Sequence, residues 1–162
     1  MLPITTARLR IDALKSTDAP ALRAITDDPA IIAAIHFLSA PFTLGNAEAL
    51  IRGHVHGVER FLGVWQGMNL IGVVGTGNSG DALEVGYWFG TKFWRQRFAS
   101  EAVGAVVAAL QRENPGRDIV AECRRENRAS WRLLERLGFR ASGRAGERPG
   151  RERLILSGPP PP

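Results

Sequence analysis

Glu84 is a carboxylate whose neighbours make it a candidate general base. Residues 83–89 alternate as a strand does, so Glu84, Gly86 and Trp88 share one face of the predicted strand. A carboxylate held beside glycine and tryptophan can bind a water molecule that relays a proton. This arrangement would suit a reaction in which a bound amine loses its proton. The alternative is an ordinary surface glutamate at the start of a strand.

Residues 93–101 form a second candidate site, at which a short polar loop opens into a helix. The helical residues that follow repeat at the spacing of one apolar face, as Val103, Val106, Val107 and Leu110. The usual cap position holds no Ser, Thr, Asp or Asn, and Arg95 and Arg97 stand there instead. Free backbone N–H groups, the helix dipole and two guanidinium charges together favour a phosphate-bearing ligand. The alternative is an ordinary connection whose arginines face water.

The chain beyond this helix predicts a second strand and a capped helix. Residues 119–123 are the strand, and the helix begins near Asn127 and ends before Gly138. Asn127 suits the cap position, because its side chain can accept a hydrogen bond from a backbone N–H in the first turn. Ser130 lies three residues further on, within that first turn.

Three pieces of this region resemble the GNAT superfamily of acyl-CoA-dependent N-acyltransferases, in particular the branch of the ribosomal-protein alanine acetyltransferases. The pieces are Glu84-Val85-Gly86-Tyr87-Trp88, then Trp94-Arg95-Gln96-Arg97-Phe98-Ala99-Ser100-Glu101-Ala102, then Asn127-Arg128-Ala129-Ser130 followed by Leu137-Gly138-Phe139. Their order and spacing agree with the pattern of the family. The match extends more weakly over nearly the whole chain.

The loop glycines of the family fall at positions 95 and 97, and both are arginine in this chain. Glycine lets backbone amides approach a pyrophosphate closely and adopts positive φ without strain. An arginine can hold a helical φ and still offer its amide, and it adds a bidentate donor for phosphate. The side chains can equally block the phosphate cradle, so both support and obstruction are open.

The resemblance implies transfer of an acetyl or similar acyl group from CoA to a primary amine by direct attack. It implies that Glu84 is the base and that Ser130 protonates the thiolate or binds its sulfur. His36 and Trp88 are expected at the acceptor amine. The residues expected to bind acetyl-CoA, or another acyl-CoA, are Trp88, Phe89, Arg95, Gln96, Arg97, Phe98, Ala99, Ser100, Asn127 and Leu133.

Purely structural roles are open for several of these residues. Asn127 can serve only as a cap, Ser130 only as a first-turn residue, and His36 only as an exposed loop histidine. Many other GNAT members use a tyrosine as the acid one helical turn later, where Leu134 stands in this chain. The single tyrosine, Tyr87, points away from the face of the candidate base. The sequence therefore predicts no tyrosine acid.

The order of the predicted elements indicates an α+β fold. We expect a GNAT-like mixed, mainly antiparallel sheet of six to seven strands, flanked by about four helices. Residues 75–80 match the Gly-x-Gly-x-x-Gly dinucleotide fingerprint, but no helix follows them, so we interpret them as a hairpin loop. A single acyltransferase domain is expected over residues 1–157, with a disordered proline tail over residues 158–162.

Composition narrows the class of protein further. The chain has 162 residues, 44% of them hydrophobic, which is enough for one domain with a core. Its single cysteine allows no internal disulfide, and no apolar run reaches the roughly 18 residues of a membrane span. We therefore expect a cytoplasmic protein without a membrane partner. His54 and His56 are two residues apart and make a poor metal site, so no metal is expected.

The acceptor and the partners stay open at this stage. A small-molecule amine or a protein N-terminal amine would fit as acceptor, and a homodimer is possible. The net charge of +5 gives a mild preference for anionic ligands. A nucleic-acid-binding domain ranks last, because basic and aromatic residues do not cluster. The alternative to an enzyme is a GNAT-like module that binds acyl-CoA or a partner protein without turnover, which the loop arginines and the missing tyrosine favour.

Overall fold

The computed structural model describes residues 2–53 and 58–158, and it is organised around a single sheet of eight strands. The strands are β1 Ile4–Thr5, β2 Arg10–Ala13, β3 Val58–Gln66, β4 Asn69–Ser79, β5 Ala82–Phe89, β6 Ile119–Cys123, β7 Arg140–Ala145 and β8 Glu152–Leu156. The helices are α1 Ala19–Thr26, α2 Pro29–Ala34, α3 Leu44–Arg52, α4 Phe98–Glu113 and α5 Arg128–Arg136. In space the strands follow the order β1-β2-β3-β4-β5-β6-β8-β7.

All neighbouring strands run antiparallel except β5 and β6, which are parallel. The connection from β5 to β6 contains α4, as a crossover between parallel strands requires. The register of this parallel pair is short: Leu83 faces Ile119, and Glu84 faces Val120. Hydrogen bonding between the two strands therefore stops near the beginning of each.

The sheet separates two hydrophobic clusters. On one face, α4 and α5 bury residues such as Val103 and Leu134 against strand residues such as Val85 and Ile119. On the other face, α1, α2 and α3 bury residues that include Leu22 against Phe61, Trp65, Val73 and Trp88. Alternation along β5 sends Val85 and Trp88 into different clusters, which confirms the predicted division of its faces.

Local sequence explains where several helices begin. The side chain of Asp28 accepts from the backbone N–H of Ala30 ahead of Pro29, and Thr43 and Asn46 form a capping box at α3. The side chain of Asn127 accepts from the backbone N–H of Ser130, as predicted for a cap. Two helices have no side-chain cap hydrogen bond: α1, which has Pro20 in its first turn, and α4, whose cap position holds Arg97.

The predicted α+β class and the mixed, mainly antiparallel sheet are confirmed, with small differences in count. The described residues contain eight strands and five α-helices, against a prediction of six to seven strands and about four helices. Strand β1 has only two residues, which is too short for any periodicity to be recognised. No helix among the described residues is long and apolar enough to cross a membrane.

The interpretation of residues 75–80 as a hairpin loop is correct in part. A strand and not a helix follows them, which excludes the dinucleotide fold. Most of the segment nevertheless belongs to β4, where Gly75 faces Gly86 and Thr76 faces Val85. The turn itself is confined to Gly80, with φ of +58°, and Asp81. Pairing with a long neighbouring strand outweighs the weak strand propensity of the glycines.

Two further predictions fall partly or wholly outside the described residues. Residues 159–162 of the proline tail and the histidine pair His54 and His56 lie there, so both predictions stay untested. The first residue of the predicted tail, Gly158, is hydrogen-bonded to the folded chain, because its backbone N–H donates to Asp118 Oδ1 at 3.0 Å. The assignment of residues 1–157 to a single domain also remains a prediction.

Candidate active site

A cleft opens where β5 and β6 separate. Beyond their short pairing, residues 84–89 of β5 and residues 121–123 of β6 line a cavity of about 930 Å³. The cavity reaches both faces of the sheet, because its walls include Ile31 and His36 on one side and Ser100, Ser130 and Leu133 on the other. Side chains from opposite faces of the sheet are thereby brought to a common space.

An ion-pair cluster occupies the part of the cleft that faces α2. Arg148, from the β7–β8 connection, donates through Nη1 to the carboxylate of Glu84, and the same nitrogen lies 3.2 Å from Glu122 Oε2. Its Nε donates to His36 Nε2 at 3.0 Å, so that nitrogen of His36 carries no proton. The side chains of Arg148, Glu84 and Glu122 are only 16%, 15% and 4% exposed. The candidate base therefore has a buried cationic partner.

The ion pairs keep Arg148 charged. Burial alone would lower the pKa of Arg148, but the hydrogen bond and charge of Glu84, followed by those of Glu122, raise it above its ordinary value. Arg151 behaves differently, because burial and then the neighbouring charges of Arg124 and Arg148 lower its pKa. Glu84 and Glu122 thus stabilise the charge of Arg148 more than that of Arg151.

The β7–β8 connection is anchored to Glu122 through its backbone. The N–H groups of Glu147 and Arg148 donate to the two carboxylate oxygens of Glu122, at 2.6 and 3.2 Å. A Cβ at Gly146 would lie 2.7 Å from Glu122 Cδ, so glycine is the residue that fits there. Arg151 adds a bond to the carbonyl of Ala34 at the end of α2. The connection therefore spans from the sheet to α2 and holds Arg148 in place.

The opposite part of the cleft contains Ser130 and Tyr87. Their hydroxyl groups lie 2.8 Å apart, and either one can be the donor. Burial raises the pKa of Tyr87 above its ordinary value, with the hydrogen bond from Ser130 acting in the opposite direction. Tyr87 does point away from the face of Glu84, as predicted, and its hydroxyl contacts the predicted acid, Ser130, a contact that the sequence alone did not predict. Sequence alternation assigns the face of Tyr87 but not the approach of α5 to it.

Cys123 is buried at the end of β6, beside this hydroxyl pair. Its thiol donates to the carbonyl of Arg124 at 3.3 Å. Burial raises the pKa of the thiol, with the hydrogen bond from Ser130 acting in the opposite direction. A thiol with a raised pKa holds little thiolate near neutral pH, so Cys123 is poorly suited to act as a nucleophile.

The loop before α4 has the backbone geometry of glycines although it contains arginines. Arg95 and Arg97 have φ of 62° and 65°, in the left-handed region. Neither arginine adopts the helical φ that the sequence left open at these positions. The left-handed conformation costs about 1–2 kcal/mol for a residue with a Cβ. Both side chains are exposed and both residues line the cleft, so two cations stand at the start of α4.

Nine of the ten residues predicted to bind the cofactor line the cleft, and Gln96 does not. Those that do are Trp88, Phe89, Arg95, Arg97, Phe98, Ala99, Ser100, Asn127 and Leu133. Gln96 is directed elsewhere, because its side-chain amide donates to the carbonyl of Lys92 at 3.0 Å and its own carbonyl accepts from Arg8 at 3.1 Å. All residues from Trp94 to Arg97 are exposed, so the direction of each side chain depends on the local path of the loop, which residue spacing does not predict.

Trp88 and Phe89 have structural roles as well as positions at the cleft. Trp88 is 5% exposed, its Nε1 donates to Thr26 Oγ1 at 3.0 Å, and its ring meets those of Phe37 and Phe61 edge to face. Phe89 packs in the other cluster and accepts from Trp94 Nε1 through its carbonyl. Replacing either ring would disturb the core together with the cleft.

Sequence reasoning missed Glu122, Arg148 and Arg151. Glu122 had a usable signal, because it is the one charged residue in the strand 119–123. The arginines had none beyond the basic composition of their loop. Within residues 2–53 and 58–158, no group of three or more His, Cys, Asp or Glu side chains could hold a metal ion.

Comparison with solved structures gives close matches in fold. An acetyltransferase of the GNAT family from Bacillus anthracis superposes with a TM-score of 0.84 at 22% identity, covering 96% of this chain and 98% of that one. A ribosomal-protein-S5-alanine acetyltransferase from Vibrio fischeri gives 0.80 at 17% identity, covering 98% and 97%. A ribosomal L7/L12 alpha-N-protein acetyltransferase, RimL, in complex with coenzyme A gives 0.81 at 18% identity, covering 94% and 95%.

The sequence itself also carries a family signature. A search of curated protein sequences finds no match to this chain. The sequence model of the family described as "Acetyltransferase (GNAT) domain" matches residues 8–140, from β2 to the start of β7. This range includes β5, the loop before α4 and the first turn of α5, all of which contribute residues to the lining of the cleft. By this match the chain belongs to the GNAT acetyltransferase family.

Proposed function

We propose that this protein transfers an acetyl or similar acyl group from CoA to a primary amine by direct attack. The observation that carries the proposal is the cleft between β5 and β6, which has a carboxylate, Glu84, towards one face and a hydroxyl pair, Ser130 and Tyr87, towards the other. An amine and a thioester entering from opposite faces would meet between these groups. Such placement converts a reaction between two molecules into one within a complex.

Acetyl-CoA would lie on the side of α4 and α5, with its pyrophosphate over residues 95–100. The start of α4 offers the positive end of a helix dipole, and its cap residue, Arg97, makes no side-chain cap hydrogen bond. Arg95 and Arg97 add two charges that can form bidentate bonds to phosphate. We infer that the side chains support binding, since two strained arginines at a ligand loop are best explained by a use for their charges.

The chemistry needs a proton acceptor for the amine and a group for the leaving thiolate. Glu84 would take the proton of the attacking amine, directly or through water, as the new C–N bond forms. Ser130, which shares a hydrogen bond with Tyr87, would meet the sulfur as the C–S bond breaks and return a proton to it. Asn127 fixes the first turn of α5 by capping it and so orients Ser130.

The acceptor would be a small-molecule amine or the N-terminal amine of a protein, in the cytoplasm. The solved structures that share the fold include enzymes named for ribosomal proteins S5 and L7/L12, which favours an N-terminal amine as one candidate. His36 would lie at the entrance for the acceptor, beside Arg148. Neither a membrane nor nucleic acid is proposed as a partner, and a homodimer remains an expectation.

A second candidate function is an acyl-CoA-binding module without turnover. The ion pair between Arg148 and Glu84 favours it, because the carboxylate is already engaged by a buried cation and would have to share that contact with an amine or a water molecule. Arg95 and Arg97 would then contribute to the binding of acyl-CoA and to no later step. The two candidates differ in a single measurable property, which is the release of CoA in the presence of amines.

Binding and turnover can be tested in sequence. We expect CoA to raise the melting temperature more than dephospho-CoA, and dephospho-CoA more than adenosine. An unchanged melting temperature at saturating CoA would contradict the assignment of CoA as the cofactor. A screen of α-amino peptides, amino sugars and polyamines with acetyl-CoA then measures thiol release. Firm CoA binding with no transfer to any amine would support the binding module.

The role of Glu84 needs a control that also changes the ion-pair cluster. Glu84→Gln is expected to keep CoA affinity and to lower turnover by about 10²–10⁴-fold, the range for loss of general-base catalysis. Glu122→Gln removes the other carboxylate beside Arg148 and keeps one oxygen to accept from the backbone of the β7–β8 connection, so it is expected to lose much less activity than Glu84→Gln. The shape of the pH–rate profile should change in Glu84→Gln and stay the same in Glu122→Gln. Equal losses in both variants would assign the effect to the cluster and not to a base.

A further inference from the structure

Arg148 stands beside the proposed base, in the half of the cleft that faces α2. It bonds to Glu84, lies 3.2 Å from Glu122 and donates to His36 at 3.0 Å. An amine that reaches Glu84 must come within a few ångströms of this guanidinium. The acceptor site is therefore lined by a cation and an anion in direct contact.

The charges of this pair discriminate between acceptors. A bare ammonium group would be attracted by Glu84 and repelled by Arg148, which is buried and keeps its charge. An amine that carries a carboxylate has one charge for each residue: its ammonium group faces Glu84 and its carboxylate faces Arg148. The two positive and two negative charges then alternate in space. We propose that Arg148 determines acceptor specificity and that the protein selects primary amines carrying a carboxylate near the amine. This inference rests on the transferase function proposed above.

The geometry of the guanidinium limits the distance between the amine and the carboxylate of such an acceptor. The bonds to Glu84, Glu122 and His36 use Nη1 and Nε, which leaves the other terminal nitrogen, Nη2, for a carboxylate in the cleft. Because Arg148 and Glu84 are in contact, the amine and the carboxylate of one acceptor must be only a few bonds apart. Both an α-amino acid and a peptide with an N-terminal aspartate meet this condition.

The position of Arg148 is fixed before any ligand binds. Backbone N–H groups at positions 147 and 148 hold Glu122, and Gly146 lets the chain pass close to that carboxylate. Arg151 ties the same connection to α2 through the carbonyl of Ala34. A preorganised guanidinium loses little entropy when it binds a carboxylate, which makes it effective in selection.

The test compares acceptors that differ only in one charge. Alanine and alaninamide differ in the α-carboxylate, and the amidated dipeptides Asp-Ala and Asn-Ala differ in a side-chain carboxylate, so the two pairs distinguish the two sources. The proteins are the unmodified chain, Arg148→Gln, Arg148→Lys and a control, Arg144→Gln. Arg144 is exposed on β7 and lies outside the residues that line the cleft, so its variant removes an equal charge away from the cluster.

We expect kcat/KM to favour the carboxylate member of at least one pair by about 10- to 100-fold, as hydrogen bonds between charged groups provide. Arg148→Gln should bring this ratio close to one, mainly through KM, while Arg144→Gln leaves it unchanged. Arg148→Lys should keep part of the preference, because lysine retains the positive charge but not the planar set of N–H donors that a guanidinium offers to a carboxylate. An unmodified protein without preference in either pair, or a preference that survives Arg148→Gln, overturns the inference.

A measurement of binding separates this inference from the transferase proposal. Calorimetry with the same pairs, with and without CoA, should give the same ratio of dissociation constants even if no acetyl group is transferred. Failure of both carboxylate acceptors to bind would overturn the inference. Acetylation of a neutral or polycationic amine without any carboxylate preference would also overturn it while the transferase function stands. Lack of CoA binding would contradict the transferase function alone.

Discussion

The hydroxyl groups of Tyr87 and Ser130 lie 2.8 Å apart, although the two residues are 43 positions apart in the chain. Tyr87 belongs to β5, and Ser130 to the first turn of α5, which packs on the same face of the sheet as Tyr87. Burial raises the pKa of Tyr87, so the phenol stays protonated at ordinary pH. A neutral phenol beside a serine can hold its hydroxyl in one orientation or supply it with a proton.

The first prediction concerns this pair of hydroxyl groups. Ser130→Ala and Tyr87→Phe should both lower kcat with little change in CoA affinity. The loss for Tyr87→Phe should be about 2- to 10-fold, which corresponds to one hydrogen bond of about 0.5–1.5 kcal/mol. Because Tyr87 is expected to act through Ser130, the double variant should be no slower than Ser130→Ala. Thiol release at saturating amine measures this, and additive losses would show that the two hydroxyl groups act separately.

Local patterns were sufficient for the elements of the site but not for its contacts. Alternation along β5 correctly separates Glu84 from Val85, and the cap signal at Asn127 correctly begins α5. These features depend on residues within one or two turns of each other. The contact between Tyr87 and Ser130 depends on how α5 packs against β5, and the contact of Arg148 with Glu84 depends on a loop 64 residues away. Such long-range contacts have no local pattern.

The loop before α4 shows a different limit of sequence reasoning. Its arginines favour a helical φ by their chemistry, yet Arg95 and Arg97 adopt the left-handed region. The surrounding fold determines the path of the loop. Trp94 Nε1 donates a hydrogen bond to the carbonyl of Phe89 on one side of the loop, and Phe98 is buried on the other. Propensity of single residues gives way when both ends of a short loop are fixed.

The second prediction follows from this backbone strain. Arg95→Gly and Arg97→Gly should each relieve about 1–2 kcal/mol of left-handed strain. Glycine also makes the unfolded chain more flexible, which costs about 0.4–1 kcal/mol. The net gain in the free energy of unfolding should therefore lie between about 0 and 1.6 kcal/mol for each variant, as measured by urea denaturation.

Two controls distinguish strain from the loss of a charge. Gln96→Gly changes the same loop at a position outside the left-handed region and should lower stability. Arg95→Ala and Arg97→Ala keep the strain and remove the guanidinium. If the side chains bind phosphate, the alanine and glycine variants should weaken CoA affinity alike, by about 1.5–3 kcal/mol. Tighter CoA binding in the glycine variants would instead show that the arginines obstruct the cradle.

The third prediction concerns the pH dependence of stability and Glu101, in the first turn of α4. Burial raises the pKa of this carboxyl, but hydrogen bonds from Thr6 and Arg8 outweigh it and lower the pKa below the ordinary value of 4.5. These bonds measure 2.6 Å from Thr6 Oγ1 and 2.7 Å from Arg8 Nε. A carboxyl with a lowered pKa stabilises the folded state above its ordinary value and loses that contribution as pH falls through the lowered one.

Glu101→Gln should therefore lower stability near neutral pH and flatten the acid limb below the ordinary value of 4.5. Urea denaturation at several pH values measures both effects. Glu48→Gln is a matched control, because the contact of Glu48 within the described part of the chain is an exposed pair with Arg52 at 3.9 Å. The same acid limb in Glu101→Gln and the unmodified protein would contradict the assigned role of Glu101.

The fourth prediction concerns Gly86, which lies between Glu84 and Trp88 on the face of β5 that lines the cleft. A Cβ at this position would meet no atom within 4 Å. Gly86→Val should therefore fold, and it should gain up to about 0.5–1 kcal/mol because glycine weakens a strand interior. Its side chain would nevertheless occupy the space in which acyl group and amine are expected to meet.

Stability and activity should thus change in opposite directions at Gly86. We expect Gly86→Val to keep or raise the melting temperature and to lose most acetyl transfer, with Gly86→Ala in between. Gly146→Ala provides the contrast, because its Cβ would lie 2.7 Å from Glu122 Cδ and must displace the β7–β8 connection. That variant should lose stability as well as activity. A Gly86→Val protein that turns over at the normal rate would mean that the reacting groups do not meet between β5 and β6, because a valine there cannot leave their path open.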